Sequence, residues 1–345
     1  MIPGPQVTVV IPHYNGRQFL KEAIRSVESQ TFPDWEIVIV DDGSSEEHWR
    51  YLKSLESWRI RILHQSHDGA GAATQRGIDA TRGIYVAFLD QDDVWLPSKL
   101  QRAVSILDAH SEIDLAFSGY QMINQVGHPL GPAHMPPGVR FCFRDLFVDY
   151  CIGPTATCVV RLSAALNAGP IDPSLKRCYD LDFFLRISRL RPDNVAATLE
   201  PLTKYRRHPG QLSANIAEMR TEWFRVLDSI NKAHHVEASA TARAQSNMHR
   251  FFAFLEYENE RFGAGCKELA QAFRFAPSVA LLDRRNWLVA GGCLGALVLP
   301  RPIRLAAERF VGIHRSAEQP AFPQFHPSTD SNQRSFRAEQ LIQKT

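Results

Sequence analysis

Apolar and polar positions change their period several times along the first third of the chain. "VTVVI" (Val7 to Ile11) is a β-branched run closed by Pro12 and reads as a short strand. Between Arg17 and Gln30 the apolar residues Phe19, Leu20, Ala23, Ile24 and Val27 recur at helical spacing. "EIVIV" (Glu36 to Val40) predicts a second strand ended by "DDGS", and the charged stretch from Glu46 to about Ser57 predicts a helix. "IRIL" (Ile60 to Leu63) predicts a third strand, and the small residues from Ala70 to Ala80 a helix stopped by Gly83. "YVAFL" (Tyr85 to Leu89) predicts a fourth strand and "DLAFSGY" a fifth. Between them Pro97 suits the first position of a helix reaching about His110.

Strands that are apolar on both faces and alternate with helices imply an α/β fold: a Rossmann-type, mostly parallel sheet with helices on both faces. Such sheets bind ligands at the carboxyl ends of their strands. Asn15, Asp41, Asp42 and the acids from Asp90 onward all fall just past an expected strand end.

The pattern then loosens. Gly127 to Gly138 holds four prolines and three glycines and reads as a loop. "TATCVVR" reads as a strand, "DLDFFLRISR" as a helix, and "VAATLEPLTKYRRH" as a strand pair or a strand plus turn. From about Asn215 to Phe275 the spacing is helical, with a break at Pro277, and the Gln- and Ser-rich tail beyond Ser316 has the composition of a disordered segment. The expected organisation is an α/β domain over 1–213, a helical region over 214–315 with a possible membrane contact, and a disordered tail over 316–345.

Composition narrows the classes. A net charge of +2 on 345 residues does not mark a nucleic-acid binder. Six cysteines without a CxxC pair fit free thiols in a reducing compartment. The first residues carry no basic-then-apolar signal, and no apolar run reaches about 18 residues, so the expected location is cytoplasmic. One segment qualifies that. "WLVAGGCLGALVL" (Trp287 to Leu299) is uncharged and flanked by Arg284, Arg285, Arg301 and Arg304. It suits either a buried helix or oligomer contact, or an in-plane peripheral contact with the inner face of the plasma membrane.

The chemistry concentrates in "FLDQDDVW", where Asp90, Asp92 and Asp93 follow an apolar run. Carboxylates this close ionise together only beside a cation; otherwise one keeps its proton. Mg²⁺ or Mn²⁺, shared with substrate phosphates, is the economical neutraliser. The alternative is that an Asp caps the next helix and the others are solvated.

"VVIPHYN", "QTFPDWEIVIVDDGS", "ATRGIYVAFLDQDD", "YDLDFFLRISR" and "YRRHPGQLS" occur in the order and spacing of the family-two glycosyltransferases of GT-A fold. The resemblance spans Val7 to Ser213 and implies an inverting, Mg²⁺- or Mn²⁺-dependent transferase. Its donor would be a nucleotide-diphosphate sugar linked to UDP, GDP or TDP. Its acceptor would be a carbohydrate or a lipid-linked hydroxyl, in the synthesis of a bacterial surface polysaccharide or glycolipid. By the same resemblance Pro12, Tyr14 and Asn15 shape the nucleotide pocket, and Asp41 and Asp42 lie near base and ribose. Asp90 holds ribose or metal, Asp92 the metal, and Asp93 caps or orients. Asp180 is the general base, with Asp182 structural. His208 stands near diphosphate and metal, and Arg206 and Arg207 could bind diphosphate. Thr74 and Gln75 replace the family's usual Arg and Asn, and Tyr179 replaces the acid that usually precedes the base. Gln75 remains a candidate donor contact. A nucleotidyltransferase and a non-catalytic sugar-nucleotide scaffold are the competing classes. Acceptor choice is expected to lie in the 127–138 loop and the helical region.

Overall fold

The computed structural model describes residues 4–299. The N-terminal half is built from β1 (Val7–His13), α1 (Arg17–Glu28), β2 (Trp35–Asp42), α2 (Glu46–Lys53), β3 (Ile60–Gln65), α3 (Ala70–Asp79) and β4 (Tyr85–Phe88). Then come β5 (Val94–Trp95), α4 (Lys99–Ala109), β6 (Leu115–Ile123), β7 (Arg140–Phe141), α5 (Phe143–Val148), β8 (Cys158–Arg161), α6 (Leu162–Asn167), α7 (Tyr179–Ser188) and β9 (Val195–Arg206). Five helices follow: α8 (Ile216–His234), α9 (Ala238–Glu258), α10 (Phe262–Phe275), α11 (Pro277–Leu282) and α12 (Arg284–Val298). This is the α/β layout expected, with a helical C-terminal part.

The strands form one sheet in the order β3-β2-β1-β4-β8-β6-β9-β5, with β7 also on β9. β3, β2, β1 and β4 are parallel, and β8 runs against both β4 and β6. Side-chain alternation sorts the core. Val9, Ile11, Ile37 and Ile39 pack with Leu20 and Ile24 of α1 and Leu100 and Val104 of α4. Val10 and Phe88, from the opposite face, pack with Phe183 and Phe184 of α7. The small residues of α3 permit a close approach: a Cβ on Gly77 would lie 2.1 Å from Val10 Cγ1. The same cluster that holds Phe88 continues into Val226, Leu227, Ala244 and Phe252 of α8 and α9.

Several elements differ from expectation. β1 passes through Pro12 to His13, with Pro12 opposite Val40. β4 pairs with β1 only as far as Val10, so the missing Pro12 N–H costs no bond on that side. α4 starts at Lys99, because the Pro97 carbonyl is tied to the Thr31 N–H at 2.9 Å. β9 is one twelve-residue strand. Its register on β6 slips at Ser118 and Gly119, and Pro201 sits at that irregularity. The 127–138 segment folds back onto β6 through bridges Tyr120 to His134 and Ile123 to Pro129. The Pro277 break starts α11 as its first residue. α12 packs Val289 and Cys293 on α9 and α10 and leaves Trp287, Leu294, Leu297 and Val298 exposed. No described helix is long and apolar enough to cross a membrane. The expected tail 316–345, and Arg301 and Arg304, lie outside the described residues.

Candidate active site

The carboxyl ends of β1, β2 and β4 and the N-terminus of α7 carry the expected residues. Asn15 takes a left-handed φ of 48° after β1. Its backbone N–H donates to Ser44 Oγ at 2.9 Å, and its Oδ1 accepts from the Ser45 N–H at 3.0 Å. The two loops are thereby locked together. Tyr14 stacks on His67 with ring centroids 4.1 Å apart and remains 43% exposed, an open aromatic surface beside these loops.

Asp41 and Asp42 were expected just past the end of β2, near base and ribose. They are its last two residues and are 0% and 2% exposed. Asp41 Oδ2 lies 2.8 Å from His64 Nδ1, and its Oδ1 lies 3.4 Å from His13 Nδ1. Asp42 accepts from the backbone N–H groups of Asp68 and Gly69, each at 2.9 Å, and from Gln65 Nε2 at 2.8 Å. A pair so buried and so bonded holds the loop before α3 in place. Gln75 is similarly engaged: its Oε1 accepts from the Ile171 N–H at 2.8 Å and its Nε2 donates to Asp79 at 2.7 Å.

The acidic turn after β4 divides its labour. Asp93 is buried, and its Oδ1 accepts from the Arg206 N–H at 2.9 Å. Arg206 was expected to meet diphosphate. Instead it is 1% exposed, and its guanidinium donates to the carbonyls of Asp92 (2.8 Å) and Gln125 (2.8 Å) and to Glu22 (2.6 Å). It ties the acidic turn to β9 and α1. Asp92 meets His208, with Oδ2 2.7 Å from Nε2. Asp180 lies in the first turn of α7, where its Oδ1 accepts from the Leu181 N–H at 2.8 Å and its Oδ2 from Thr155 Oγ1 at 3.0 Å. Burial pushes the Asp180 carboxyl up to about 6 against these stabilising hydrogen bonds. Burial also pushes Asp90 up to about 8, and the charges of Asp92 and Asp180 add to it. Asp90 therefore feels both the acid at the His208 end and the acid on α7. Asp182 pairs with Arg186 at 2.8 Å, the structural role expected of it.

Asp92 and His208 stand side by side with Asp90 near, and Asp93 Oδ2 is buried without a protein partner. Hard and borderline donors in an anionic crevice fit a divalent cation. Among the described residues no group of three or more His, Cys, Asp or Glu is gathered to hold one alone, so substrate phosphates would have to complete the coordination.

Two of the three departures from the family pattern, Thr74 and Tyr179, meet each other: the hydroxyl of Thr74, like that of Thr155, bears on that of buried Tyr179. Three further residues carried no usable sequence signal. Gln91 Oε1 accepts from the Tyr14 N–H at 3.1 Å and its Nε2 donates to the Tyr14 carbonyl at 3.3 Å, joining the acidic turn to β1. Thr155 holds Asp180. Buried Lys99, drawn down to about 7 by desolvation, donates to the Thr157 carbonyl and to Ser118 Oγ, bracing the turn that carries Thr155.

Residues 8–158 match the family model described as glycosyl transferase family 2. An uncharacterised glycosyltransferase of Rickettsia typhi is 30% identical over 232 residues, covering 65% of this chain and 70% of that one. The chain belongs to glycosyltransferase family 2. The chain spans 66% and 70% of the length of two curated Rickettsia relatives and 36–43% of three others. Another family relative is the Escherichia coli UDP-Glc:alpha-D-GlcNAc-diphosphoundecaprenol beta-1,3-glucosyltransferase WfgD, 27% identical over 63% of this chain and 83% of that one. Among solved structures, S. aureus TarS 1–349 in complex with UDP-GlcNAc has a TM-score of 0.58 at 16% identity, covering 92% of this chain and 99% of that one, and so shares the fold.

The crowded acids of this family 2 chain give a stability prediction. Folded Asp90 binds its proton more tightly than it does in the unfolded chain, whose Asp titrates at about 4. Without metal, stability is therefore lost as pH rises from about 4 through about 8. Asp90→Asn should raise the Tm in EDTA at pH 8 by a few degrees and flatten that slope, as read by thermal melts. An unchanged or lower Tm at pH 8, with the slope intact, would refute the repulsion.

Proposed function

We propose that the chain is a metal-dependent inverting glycosyltransferase, moving a sugar from a nucleotide-diphosphate donor to a hydroxyl acceptor in bacterial surface polysaccharide or glycolipid synthesis. The observation that carries this reading is the cluster in which Asp90 feels both Asp92, paired with His208, and Asp180. One end suits a diphosphate with its cation and the other a reacting hydroxyl. Asp180, fixed by Thr155 and the Leu181 N–H, takes the proton from the acceptor hydroxyl as its oxygen attacks the anomeric carbon. Attack opposite the departing diphosphate inverts the centre. Asp92, His208 and Asp90 would hold Mg²⁺ or Mn²⁺, which when bound offsets negative charge on the leaving diphosphate. Exposed Tyr14 offers a face to the nucleotide, and the Asn15 and Asp42 loops hold that pocket's shape. A UDP-linked donor is favoured by the UDP-Glc and UDP-GlcNAc named for WfgD and TarS.

The test is a panel of UDP-, GDP- and TDP-sugars with Mn²⁺, read by nucleoside diphosphate release. Release from UDP-sugars supports the reading. Pyrophosphate release instead would assign a nucleotidyltransferase, and nucleotide binding without turnover of any donor would assign a scaffold.

A lipid-linked acceptor, as WfgD's name specifies for that enzyme, calls for a cytoplasmic chain at a membrane surface. The apolar residues at the end of the described chain favour it: Leu282, Trp287, Leu294, Leu297 and Val298 are all exposed, and Arg284 is exposed at the start of α12. The full chain should float with anionic vesicles and not with neutral ones, and Leu282→Glu with Leu297→Glu should abolish flotation. Equal flotation of wild type and the double variant removes this face from any membrane role.

A further inference from the structure

We propose that Glu222, on α8 of the helical C-terminal part, is a positioning residue for the general base: it clamps the backbone at the start of α7 and so fixes where Asp180 stands. This deepens the transferase reading and rests on it for the role of Asp180. Glu222 lies beyond residues 8–158, the part that the family model matches.

The clamp is made of backbone bonds. The half-buried Glu222 carboxylate accepts from three successive N–H groups: Lys176 at 3.0 Å, Arg177 at 2.7 Å and Cys178 at 3.0 Å. Amides turned together in this way form a concavity for an anion, and here a side chain of the same protein fills it. Cys178 is the N-cap of α7, and its own side chain makes no capping bond. The acceptor that a local cap would supply comes instead from 44 residues further along the chain. Asp180 follows in the first turn of α7. Thr155 and the Leu181 N–H hold its carboxylate, while Glu222 holds the backbone that leads into it.

The rest of α8 grips the same strap. Glu218 and Arg225 stand four residues before and three after Glu222, on one face of the helix. Arg177 Nε donates to Glu218 at 2.8 Å, and Arg225 Nη2 donates to the Ser174 carbonyl at 2.8 Å. On the donor side, Lys176 Nζ donates to the Asp68 carbonyl at 3.0 Å. The helix that does the gripping is itself anchored: Val226 and Leu227 pack in one cluster with Leu181 and Leu185 of α7. Burial is the chief cause that raises the Asp180 carboxyl, and the charge of Glu222 adds to it, so the two acids stand near each other at one helix end. The bonds from three N–H groups and the positive end of α7 offset that crowding. A base must reach one hydroxyl in one geometry, and an error of about 1 Å can cost roughly 10² in rate.

The test is steady-state kinetics of the full chain with whichever UDP-, GDP- or TDP-sugar it turns over, joined to amide hydrogen exchange. Glu222→Ala should lower kcat roughly 10- to 10²-fold and speed exchange over residues 176–181. The donor KM should stay within about twofold, because Asp42 holds the Asp68–Gly69 turn by bonds of its own. Glu222→Gln keeps an acceptor for the N–H groups and should recover kcat to within about fivefold of wild type. Glu268→Gln is the structural control. Glu268 braces α8 through Arg220 and α9 through His249 without touching the strap, so its loss should lower the Tm and leave kcat unchanged. If Glu222→Ala does not fold, Glu222→Asp, shorter by one methylene, replaces it: a kcat about fivefold lower at constant donor KM supports the clamp, and a wild-type kcat overturns it. Unchanged kcat in Glu222→Ala, or an equal kcat loss in Glu268→Gln, also overturns the proposal. Faster exchange over 176–181 in Glu222→Ala, with no nucleoside diphosphate released by the wild type from any donor, keeps Glu222 as the clamp on α7 and rejects the transferase reading.

Discussion

Asp180→Asn should lower sugar transfer by roughly 10² or more while leaving the fold and nucleotide binding intact, the scale of a lost general base. Asparagine keeps the shape of the side chain, and its oxygen can still accept from the Leu181 N–H, now at 2.8 Å, but it cannot take a proton. Stability should hardly fall, because the carboxylate it replaces is held above its ordinary titration range by burial. The pH profile supplies a second readout. The active form is the deprotonated one, so kcat/KM should fall as pH drops, with a midpoint no higher than about 6. A bound cation would draw that midpoint lower still. Near-wild-type turnover in Asp180→Asn would move the base elsewhere. Asp182 is a poor substitute, since it is paired with Arg186 at 2.8 Å.

Chelation should abolish transfer, and Mn²⁺ or Mg²⁺ should restore it. Asp92→Ala should weaken nucleoside diphosphate binding when metal is present and change it little when metal is absent, because Asp92 would help hold a cation that offsets the phosphate charge. The structure sharpens the reason. Asp92 faces His208 at 2.7 Å, Asp90 beside them is pushed up to about 8, and among the described residues no group of three or more His, Cys, Asp or Glu is gathered to hold a cation without substrate phosphates. Metal and nucleoside diphosphate should then bind cooperatively, each tightening the other by the same factor. Calorimetry of one with and without the other measures it. Full activity after exhaustive chelation, or equal loss of nucleotide binding in Asp92→Ala with and without metal, would remove the cation from this crevice.

The difference between Asp93 and Asp92 shows where sequence reading stops. Both belong to one acidic run, yet Asp93 caps the Arg206 N–H while Asp92 meets His208. Those partners lie 113 and 116 residues away along the chain, beyond any local pattern. Arg206 is the sharper case. A basic pair before "HPG" suggests an anion site, but Glu22, 184 residues distant, and the carbonyls of Asp92 and Gln125 claim the guanidinium. Asp41 and Asp42 were legible as acids at a strand end. Their burial was not, because it depends on His13, His64 and the loop before α3 arriving from three other segments.

The sequence by itself determined the elements whose cause is local. The β-branched runs of β1, β2 and β4 pair as parallel strands because both faces of each run are apolar. The helical spacing of α1 and α4 buries one stripe against them. The order of the motifs determined the family and the place of Asp180 in the first turn of α7. Only the tertiary structure decided which polar groups are held and which stand open. It folded the proline-rich segment back on β6, ran β9 through its irregularity as one strand, and packed α8 and α9 into the cluster that supports α7. The physical reason is common to all of these. An apolar run is buried wherever the chain can hide it, but a buried polar atom needs one particular partner, and that partner is chosen by packing between segments far apart in the chain.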